Sequence, residues 1–265
     1  MSTLRLRGAP PERIDLLNVT PLALKGLSES EAGQLAVGTS RRGISLGDLF
    51  DITLDGSDTL VIEGGSERLD RVGAALSEGT IRVEGDVGQR LGEGMAGGTL
   101  TVTGSAGPFA ATGATGGTVT IEGDAGDHAG GAVYAAKAGL DGATLVIKGR
   151  AGDRLGDRMR RGIILAGSAG AQTASRMIAG TIVVSGTIGD HPGYGMRRGT
   201  LIAGGHGALL PTFVETGTPD LVYVRLLAQT LKRLDAAQAG LLGGTLRRYS
   251  GDLATLGKGE MFVPA

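Results

Sequence analysis

A nineteen-residue spacing of glycine constrains the fold of this 265-residue chain more than any other feature. Glycine returns at one fixed position in each unit, at intervals of 21, 19, 19, 26, 18, 19 and 19 residues. A period in this range indicates a stacked repeat, because one unit cannot bury its own apolar face and must use its neighbours. The glycines that mark the period are Gly64, Gly85, Gly104, Gly123, Gly149, Gly167, Gly186 and Gly205.

Each unit contains one apolar and polar alternation of the kind that indicates a strand. Its second and fourth residues are apolar, as in Ile81 and Val83, and the unit that starts at Gly162 has Ile163 and Leu165 there. A helical repeat is disfavoured, since glycine costs about 1 kcal/mol relative to alanine in a helix interior. The units start at Thr80, Thr99, Thr118, Thr144, Gly162, Thr181 and Thr200.

These features predict an all-β fold, a parallel β-helix of about seven to eight coils in which equivalent strands stack about 4.8 Å apart. A right-handed helix is favoured, because the six-residue sub-repeat typical of left-handed ones is missing. We expect the helix over residues 51–206, between an N-terminal cap at 1–50 and a C-terminal cap at 207–265. Caps are needed to cover the unpaired edges and apolar interior of the end coils.

Both caps contain local signals of secondary structure. Thr3–Arg7 reads as a strand, Ser28 and Glu31 have capping-box spacing for a short helix through about Leu35, and Leu46–Ile52 leads into the first coil. The last cap has an apolar stripe that predicts an amphipathic helix of about four turns ending before Gly240. The stripe consists of Leu221, Val224, Leu227, Leu231 and Leu234.

Composition removes several classes of protein. The net charge of −1 gives no general attraction to nucleic acid or to an anionic membrane. No run of eighteen apolar residues occurs and the start lacks a signal-peptide pattern, so we expect a cytoplasmic protein without a membrane span. The absence of cysteine excludes disulfides, thiolate metal clusters and a cysteine nucleophile within this chain.

The three histidines do not predict a metal or catalytic site. His128 and His191 occupy one column of the repeat, each after an aspartate, but three coils separate them, which is about 14 Å at strand spacing. That is too far to share one ion, which needs three or four converging ligands. The same column holds Arg90, Arg154 and Gln172, which indicates a polar outer corner. We therefore expect no catalytic residue and no metal ligand in this chain.

A methionine-containing motif, GxxxGxxMxxG, carries a resemblance to a known family. Together with the closing segment Tyr249–Leu253 and Gly257–Glu260, it resembles the C subunit of formylmethanofuran dehydrogenase over essentially the whole chain. It is most similar to the C subunit of the bacterial formyltransferase/hydrolase complex and is related to the C-terminal β-helix of the glutamate synthase large subunit. The motif copies are Gly88, Gly92, Met95 and Gly98; Gly152, Gly156, Met159 and Gly162; Gly189, Gly193, Met196 and Gly199; and a partial copy with Met177 and Gly180.

The resemblance implies a role in one-carbon metabolism of methylotrophs. A formyl group would pass from tetrahydromethanopterin to a methanofuran-like carrier and then be hydrolysed to formate, with the chemistry on other subunits. This chain would bind no cofactor itself and would be a scaffold for the hydrolase-like, transferase and other subunits. Its 21 arginines against 5 lysines, 26 in total, indicate a GC-rich genome and favour the bacterial complex.

Three alternatives stay open beside this one. The chain could be the C subunit of a redox formylmethanofuran dehydrogenase with tungsten or molybdenum, or a β-helix module of the glutamate synthase kind. It could also be a polysaccharide-active β-helix enzyme, which is disfavoured because sugar sites need stacking aromatics and the chain has no Trp and four Tyr.

An arginine cluster is the strongest candidate for a contact site. It lies in three successive coils around the methionine column and is expected on one edge of the helix. It could be a solvated face balanced by Asp153, Asp157 and Asp190, a partner interface or, from the resemblance, a track for the carrier's glutamate-rich tail. The residues are Arg158, Arg160, Arg161, Arg176, Arg197 and Arg198.

Two further features each have two possible interpretations. The longest unit has a seven-residue excess within Gly130–Ala143, containing Tyr134 and Lys137, which could contact a partner or be an unconstrained bulge. The methionines could fill the interior at a corner or form an exposed ladder that binds a cofactor, and Ala114 takes their place in one unit. The column is Met95, Met159, Met177 and Met196.

Overall fold

The computed structural model describes residues 1–234 and 239–265, and these ranges are mostly β. Within them, thirteen strands form one open sheet. The sheet strands are β1 (Ser2–Leu6), β3 (Phe50–Thr53), β4 (Thr59–Glu63), β6 (Thr80–Glu84), β7 (Thr99–Val102), β8 (Thr118–Ile121), β9 (Asp141–Ala151), β10 (Arg161–Ala169), β11 (Thr181–Ile188), β12 (Arg198–His206), β13 (Val214–Glu215), β14 (Leu246–Gly251) and β15 (Lys258–Pro264). Strand β3 lies at one end of the sheet and β13 at the other.

The remaining elements are short. Two two-residue strands, β2 (Ile14–Asp15) and β5 (Leu69–Asp70), pair in parallel with each other. None of the helices in the described ranges is long and apolar enough to cross a membrane. The helices are α1 (Pro21–Leu24), α2 (Glu29–Gly33), α3 (Leu46–Leu49) and α4 (Val222–Leu231), followed by a 3-10 turn at Leu241–Gly243.

The parallel part of the sheet follows the repeat. Strands β4, β6, β7, β8, β9, β10, β11 and β12 pair in sequence order, and β15 pairs in parallel with β12. The threonines that start the units are in register, since Thr80 lies opposite Thr99 and Thr118 opposite both Thr99 and Thr144. The predicted alternation is confirmed in these strands, where the second and fourth residues are buried in one apolar core.

The alternation predicted for the unit of β10 is wrong by one residue. Ile163 lies opposite Thr181, and Ile164 lies opposite Ile182, so the inward residues are Ile164 and Ala166. Leu165 instead points to the other face of the sheet, where it is buried in a second apolar cluster. The two faces exchange because side chains alternate along a strand, so a shift of one residue reverses them.

A second row of parallel bridges runs beside the sheet. Val87 pairs with Ala106, Ala106 with Ala125, and Ala125 with Ala151, at the same spacing as the main strands. The columns of small residues that follow each strand are therefore a second contact row between units and not a loop.

After this row, each unit has positive φ angles at alternate residues. In the unit of β6 they are +60° at Arg90 and +63° at both Gly92 and Gly94. The N–H of Arg90 donates forward to Pro108 O at 2.8 Å, whereas that of Gly92 donates back to Val72 O at 2.8 Å. Alternate residues thus bond to opposite neighbouring units, which satisfies the backbone of the turning segment without helix or strand.

Aspartates and glycines form a contact between units that the motif did not reveal. Asp127 Oδ1 accepts the N–H of Asp153, and Asp153 Oδ1 accepts that of Ala171, both at 2.8 Å. A Cβ at Gly152 would overlap the Asp127 carboxylate, and one at Gly170 would overlap that of Asp153. Each glycine therefore leaves room for the carboxylate of the preceding unit, which caps a backbone donor.

The methionine column lies inside the main core. All four methionines and Ala114 are fully buried, which confirms that the column fills the interior and excludes an exposed methionine ladder. A thioether is flexible enough to fill such an irregular space. The members are Met95, Met159, Met177 and Met196.

The terminal regions agree with several local predictions. Ser28 caps α2 in a complete capping box with Glu31, and the first strand forms close to its predicted place. The Leu46–Ile52 segment forms α3 and then β3, which runs antiparallel to β1. Helix α4 forms on the predicted stripe, but its predicted extension towards Gly240 crosses 235–238, which lie outside the described residues. The division into caps at 1–50 and 207–265 stays a prediction.

The second apolar cluster covers the outer face of the sheet. Val224 and Leu231 of α4 pack there with Leu242 and Leu246. The covered residues come from β9 to β12 and β15, and they are Val146, Leu165, Val183, Ile202 and Phe262.

Candidate functional site

A column of outward side chains starts each turning segment. Its members are not glycine, yet they have φ between +54° and +63°, a region that L-residues adopt rarely. His128 and His191 belong to this column, as predicted, and within the described residues no three His, Asp or Glu side chains form a group that could hold a metal ion. The column is Arg71, Arg90, Phe109, His128, Arg154, Gln172 and His191.

A second column, four residues later, brings two of the predicted arginines together. Arg158 and Arg176 have φ of +55° and +52°, and the N–H of Arg158 donates to Ser175 O beside Arg176 at 2.9 Å. The corresponding positions of earlier units hold Ala75 and Gly94. Large cationic residues in a column otherwise occupied by alanine and glycine are the sequence signal that could have located this site.

Arg176 is fixed by a buried carboxylate. Its Nε donates to Asp157 Oδ1 at 2.8 Å and its Nη2 to Oδ2 at 2.6 Å, a bidentate geometry. Ser175 Oγ donates to the same Oδ1 at 2.6 Å, and Asp157 is only 1% exposed. Of the aspartates predicted to balance the arginines, Asp157 does so, whereas Asp153 accepts a backbone N–H of the next unit.

A groove of about 550 Å³ collects three of the six predicted arginines. They come from three successive units, and Lys137 from the inserted loop adds a fourth cation. Asp252, which is 3% exposed, accepts the N–H of Gly195 at 3.0 Å and so holds the closing segment against the groove wall. We call this the basic groove, and its principal residues are Lys137, Arg158, Arg176, Tyr194, Arg197 and Thr255.

The other three arginines lie at the starts of strands. Arg160 and Arg161 both approach the carboxylate of Asp141, at 3.2 and 3.7 Å. Arg198 begins β12 opposite Lys258 of β15. The predicted cluster is therefore divided, because residues 158 and 160 flank the turn from the positive-φ segment into the strand.

A second cavity of about 550 Å³ adjoins the basic groove and shares Arg158 and Arg176 with it. The rings of Phe109 and His128 stack in it, with centroids 4.9 Å apart and planes at 15°. Burial lowers the pKa of His128, and its Nδ1 has no hydrogen-bond partner. We call this the aromatic pocket, and its principal residues are Phe109, His128, Tyr134, Arg154, Arg158 and Arg176.

The inserted loop forms one wall of the aromatic pocket and is tied to the repeat. Arg158 Nη1 donates to Ala136 O at 2.9 Å, and the N–H of Gly139 donates back to Arg158 O at 3.0 Å. Tyr134 at its tip is 99% exposed. The loop is thus anchored at its base and presents a large aromatic side chain to solvent, which excludes the reading as an unconstrained bulge.

Comparison with known proteins gives full-length similarity to one curated protein. The chain is 86% identical over 265 residues, 100% of both chains, to the C subunit of the formyltransferase/hydrolase complex (Fhc) of Methylorubrum extorquens. It is also similar to a chain in the X-ray crystal structure of the formyltransferase/hydrolase complex (FhcABCD) of that organism with methylofuran, with a TM-score of 0.98, 86% identity and 99% of each chain covered. No family model matches the chain.

Proposed function

The chain belongs to the family of the C subunit of the formyltransferase/hydrolase complex, and on this premise we propose that it is a non-catalytic scaffold subunit of such a complex. The observation that carries the proposal is the basic groove, in which guanidinium groups from three successive units face one surface. Arginine is suited to contacts with carboxylates across an interface. A regular repeat with a charged, aromatic-rimmed groove supports docking of other subunits.

The repeat supports the further proposal of a parallel β-helix. Three rows of contacts join each unit to the next, namely the strands, the bridges of the Val87 row and the alternating bonds of the positive-φ segment. Units stacked in this way would form one coil each, with the apolar core inside. A right-handed coil remains our preference, because the chain lacks the six-residue sub-repeat typical of left-handed ones.

The proposed complex would work in one-carbon metabolism in the cytoplasm. As the family resemblance implies, a formyl group would move from tetrahydromethanopterin to a methanofuran-like carrier, and formate would be released. The crystallised relative's complex contains methylofuran, which is consistent with such a carrier. In this proposal the chemistry takes place on the transferase and hydrolase-like subunits, and this chain positions them.

We assign the predicted arginines to contact with a partner subunit or with an anionic carrier tail. Those of the basic groove are the first candidates, because Arg197 has no ion-pair partner among the described residues and Arg158 donates only to a carbonyl. Arg160 and Arg161 share the carboxylate of Asp141, so less of their charge is available. Arg198 stays a weaker candidate of the same kind.

Co-purification tests the scaffold role. The tagged chain, purified from its own host, should elute at the mass of a hetero-oligomer that contains hydrolase-like and transferase chains. The double variant Arg158→Ala/Arg197→Ala should reduce the recovery of partners or carrier-dependent turnover, while Arg160→Ala/Arg161→Ala, which removes the same charge, should change either much less. Recovery of the unaltered chain as an isolated monomer would overturn the proposal.

A further inference from the structure

The aromatic pocket combines anchored cations with an apolar surface. Arg154 Nε donates to Gln172 Oε1 at 2.8 Å, and Arg158 Nη1 donates to Ala136 O at 2.9 Å. Each guanidinium has five N–H donors, so both are held in place while most of their donors stay available. Cations that are fixed before binding lose less conformational freedom when they meet an anion.

The charge of the pocket is not balanced by its own lining. Three arginines face one carboxylate, Asp157, which leaves two positive charges. Asp157 is fully occupied by Arg176 and Ser175. A ligand that fits this site must therefore carry roughly two negative charges. Carboxylates are suitable, because each can accept two hydrogen bonds from one guanidinium group.

The rest of the lining is apolar and ready for burial. Phe109 stacks on His128, and Ala132 and Val133 also line the pocket. Tyr134, on the anchored loop, lines the same pocket and is 99% exposed. An exposed aromatic beside arginines is the composition typical of residues that dominate binding energy in protein interfaces.

We propose that the aromatic pocket binds a peptide segment of a partner subunit in which two carboxylates flank one large aromatic or aliphatic side chain. The apolar side chain packs between Tyr134 and Phe109, and the carboxylates take the free donors of Arg154 and Arg158. A purely anionic chain leaves the apolar lining unfilled, and a purely apolar one leaves two charges unpaired. The inference rests on the proposed subunit role and specifies the partner's chemistry.

A tryptophan peptide provides a direct test, because the chain contains no Trp. A five-residue peptide with tryptophan between two pairs of glutamates should bind the isolated full chain at pH 7, with a change in its fluorescence and weaker binding at high salt. Arg154→Ala/Arg158→Ala should weaken binding at least tenfold, whereas the matched Arg160→Ala/Arg161→Ala should leave it within about twofold. Equal affinity in both variants would overturn the inference.

Peptide controls separate the intended ligand from a simple polyanion. A glutamate pentapeptide and a tryptophan peptide with glutamine in place of glutamate should each compete at least tenfold more weakly than the first peptide. If the glutamate pentapeptide competes equally well, the site binds anionic chains without an apolar contact, and the inference is wrong.

Crosslinking in the assembled complex tests the same site independently of peptide binding. The chain has no cysteine, so Ala135→Cys on the pocket rim gives a single attachment point for a short photo-crosslinker. The crosslinked segment, identified by mass spectrometry, should belong to another subunit and contain two carboxylates around a large apolar residue. A crosslinked segment of other composition, in a complex that assembles normally, overturns this inference but leaves the scaffold role intact.

Discussion

On the outer face of the sheet, β6, β7 and β8 carry Arg82, Thr101 and Thr120 at the position where β9 to β12 carry apolar residues. The first three are exposed or half-buried. The apolar residues are buried beneath α4, and they are Val146, Leu165, Val183 and Ile202. The inner face is equally apolar in both halves, so the repeat determines the inside while the outside varies with what each half contacts.

The same halves differ at the turning segments. The N-terminal half has Ala75, Gly94 and Gly113 in the column where the C-terminal half has Arg158, Arg176 and Gly195. Both the covering helix and the basic groove therefore belong to the C-terminal half. Under the proposed scaffold role, we expect the N-terminal units mainly to extend the stack and the C-terminal units to contact partner subunits.

The largest expected effect comes from a charge on the covered outer face. Leu165→Asp places a carboxylate in a fully buried apolar cluster, and we expect a loss of more than about 4 kcal/mol in the free energy of unfolding. Thr101 occupies the same position of β7, where it is half-exposed beside Arg82. Thr101→Asp should therefore change the free energy of unfolding by less than about 0.5 kcal/mol. Urea denaturation measures both.

A milder pair keeps this prediction testable if the charged variant does not fold. Leu165→Ala should cost about 2 to 5 kcal/mol and Thr101→Ala less than about 1 kcal/mol. Similar losses in the two strands would show that the outer faces of the two halves are equally covered, which contradicts the comparison.

The next effect concerns one column of the turning segment. Asp157→Ala removes the partner of Arg176, and we expect a loss of about 2 to 3 kcal/mol. The loss stays below that of a fully buried pair because the Arg176 side chain is 39% exposed and can turn to solvent. Glu93→Ala, at the same place in the N-terminal half, breaks a partly exposed pair with Arg90 at 3.5 Å and should cost less than about 1 kcal/mol.

Thermal or urea unfolding of the two variants decides this point. If Glu93→Ala lowers the free energy of unfolding as much as Asp157→Ala does, the ion pair of the C-terminal half stabilises the fold no more than that of the N-terminal half.

Substitution by glycine separates folding from binding. Arg158→Gly relieves a positive φ of +55° but loses the bond to Ala136 O, so the free energy of unfolding should change by less than about 1 kcal/mol. Ala75→Gly, at φ +55° in the N-terminal half, should have a similarly small effect. Peptide binding should fall only in Arg158→Gly. A strong loss of stability in that variant would mean that the arginine supports the fold and not a partner.

How well the sequence predicts the burial of a strand residue depends on whether one or both faces of the sheet are covered. The inward residues follow from alternation in β6 to β8, where polar threonines separate the apolar ones. In β10, Ile163, Ile164 and Leu165 are all apolar because both faces are covered, so alternation disappears and the predicted register is one residue off.

The candidate site, too, can be predicted from the sequence only in part. The repeat places the arginines in adjacent units, but spacing along the chain does not show that a turn separates residue 158 from residue 160. Contacts between units, such as Asp127 with the N–H of Asp153, depend on which residues stack, and a set of motifs does not contain that information.

The smallest effect concerns a tyrosine of the covering helix. Burial raises the pKa of Tyr223 to about 12, and the nearby negative charge of Glu260 adds to this, although 37% of the residue is exposed. An absorbance titration of tyrosinate should thus show a late step that Tyr223→Phe removes. Since the folded pKa lies above the unfolded one, the stability that Tyr223 contributes is complete below pH 10 and is lost as pH rises towards 12. A titration in which Tyr223→Phe removes no late step would show that α4 does not bury this residue, and would weaken the contrast between the covered and uncovered halves.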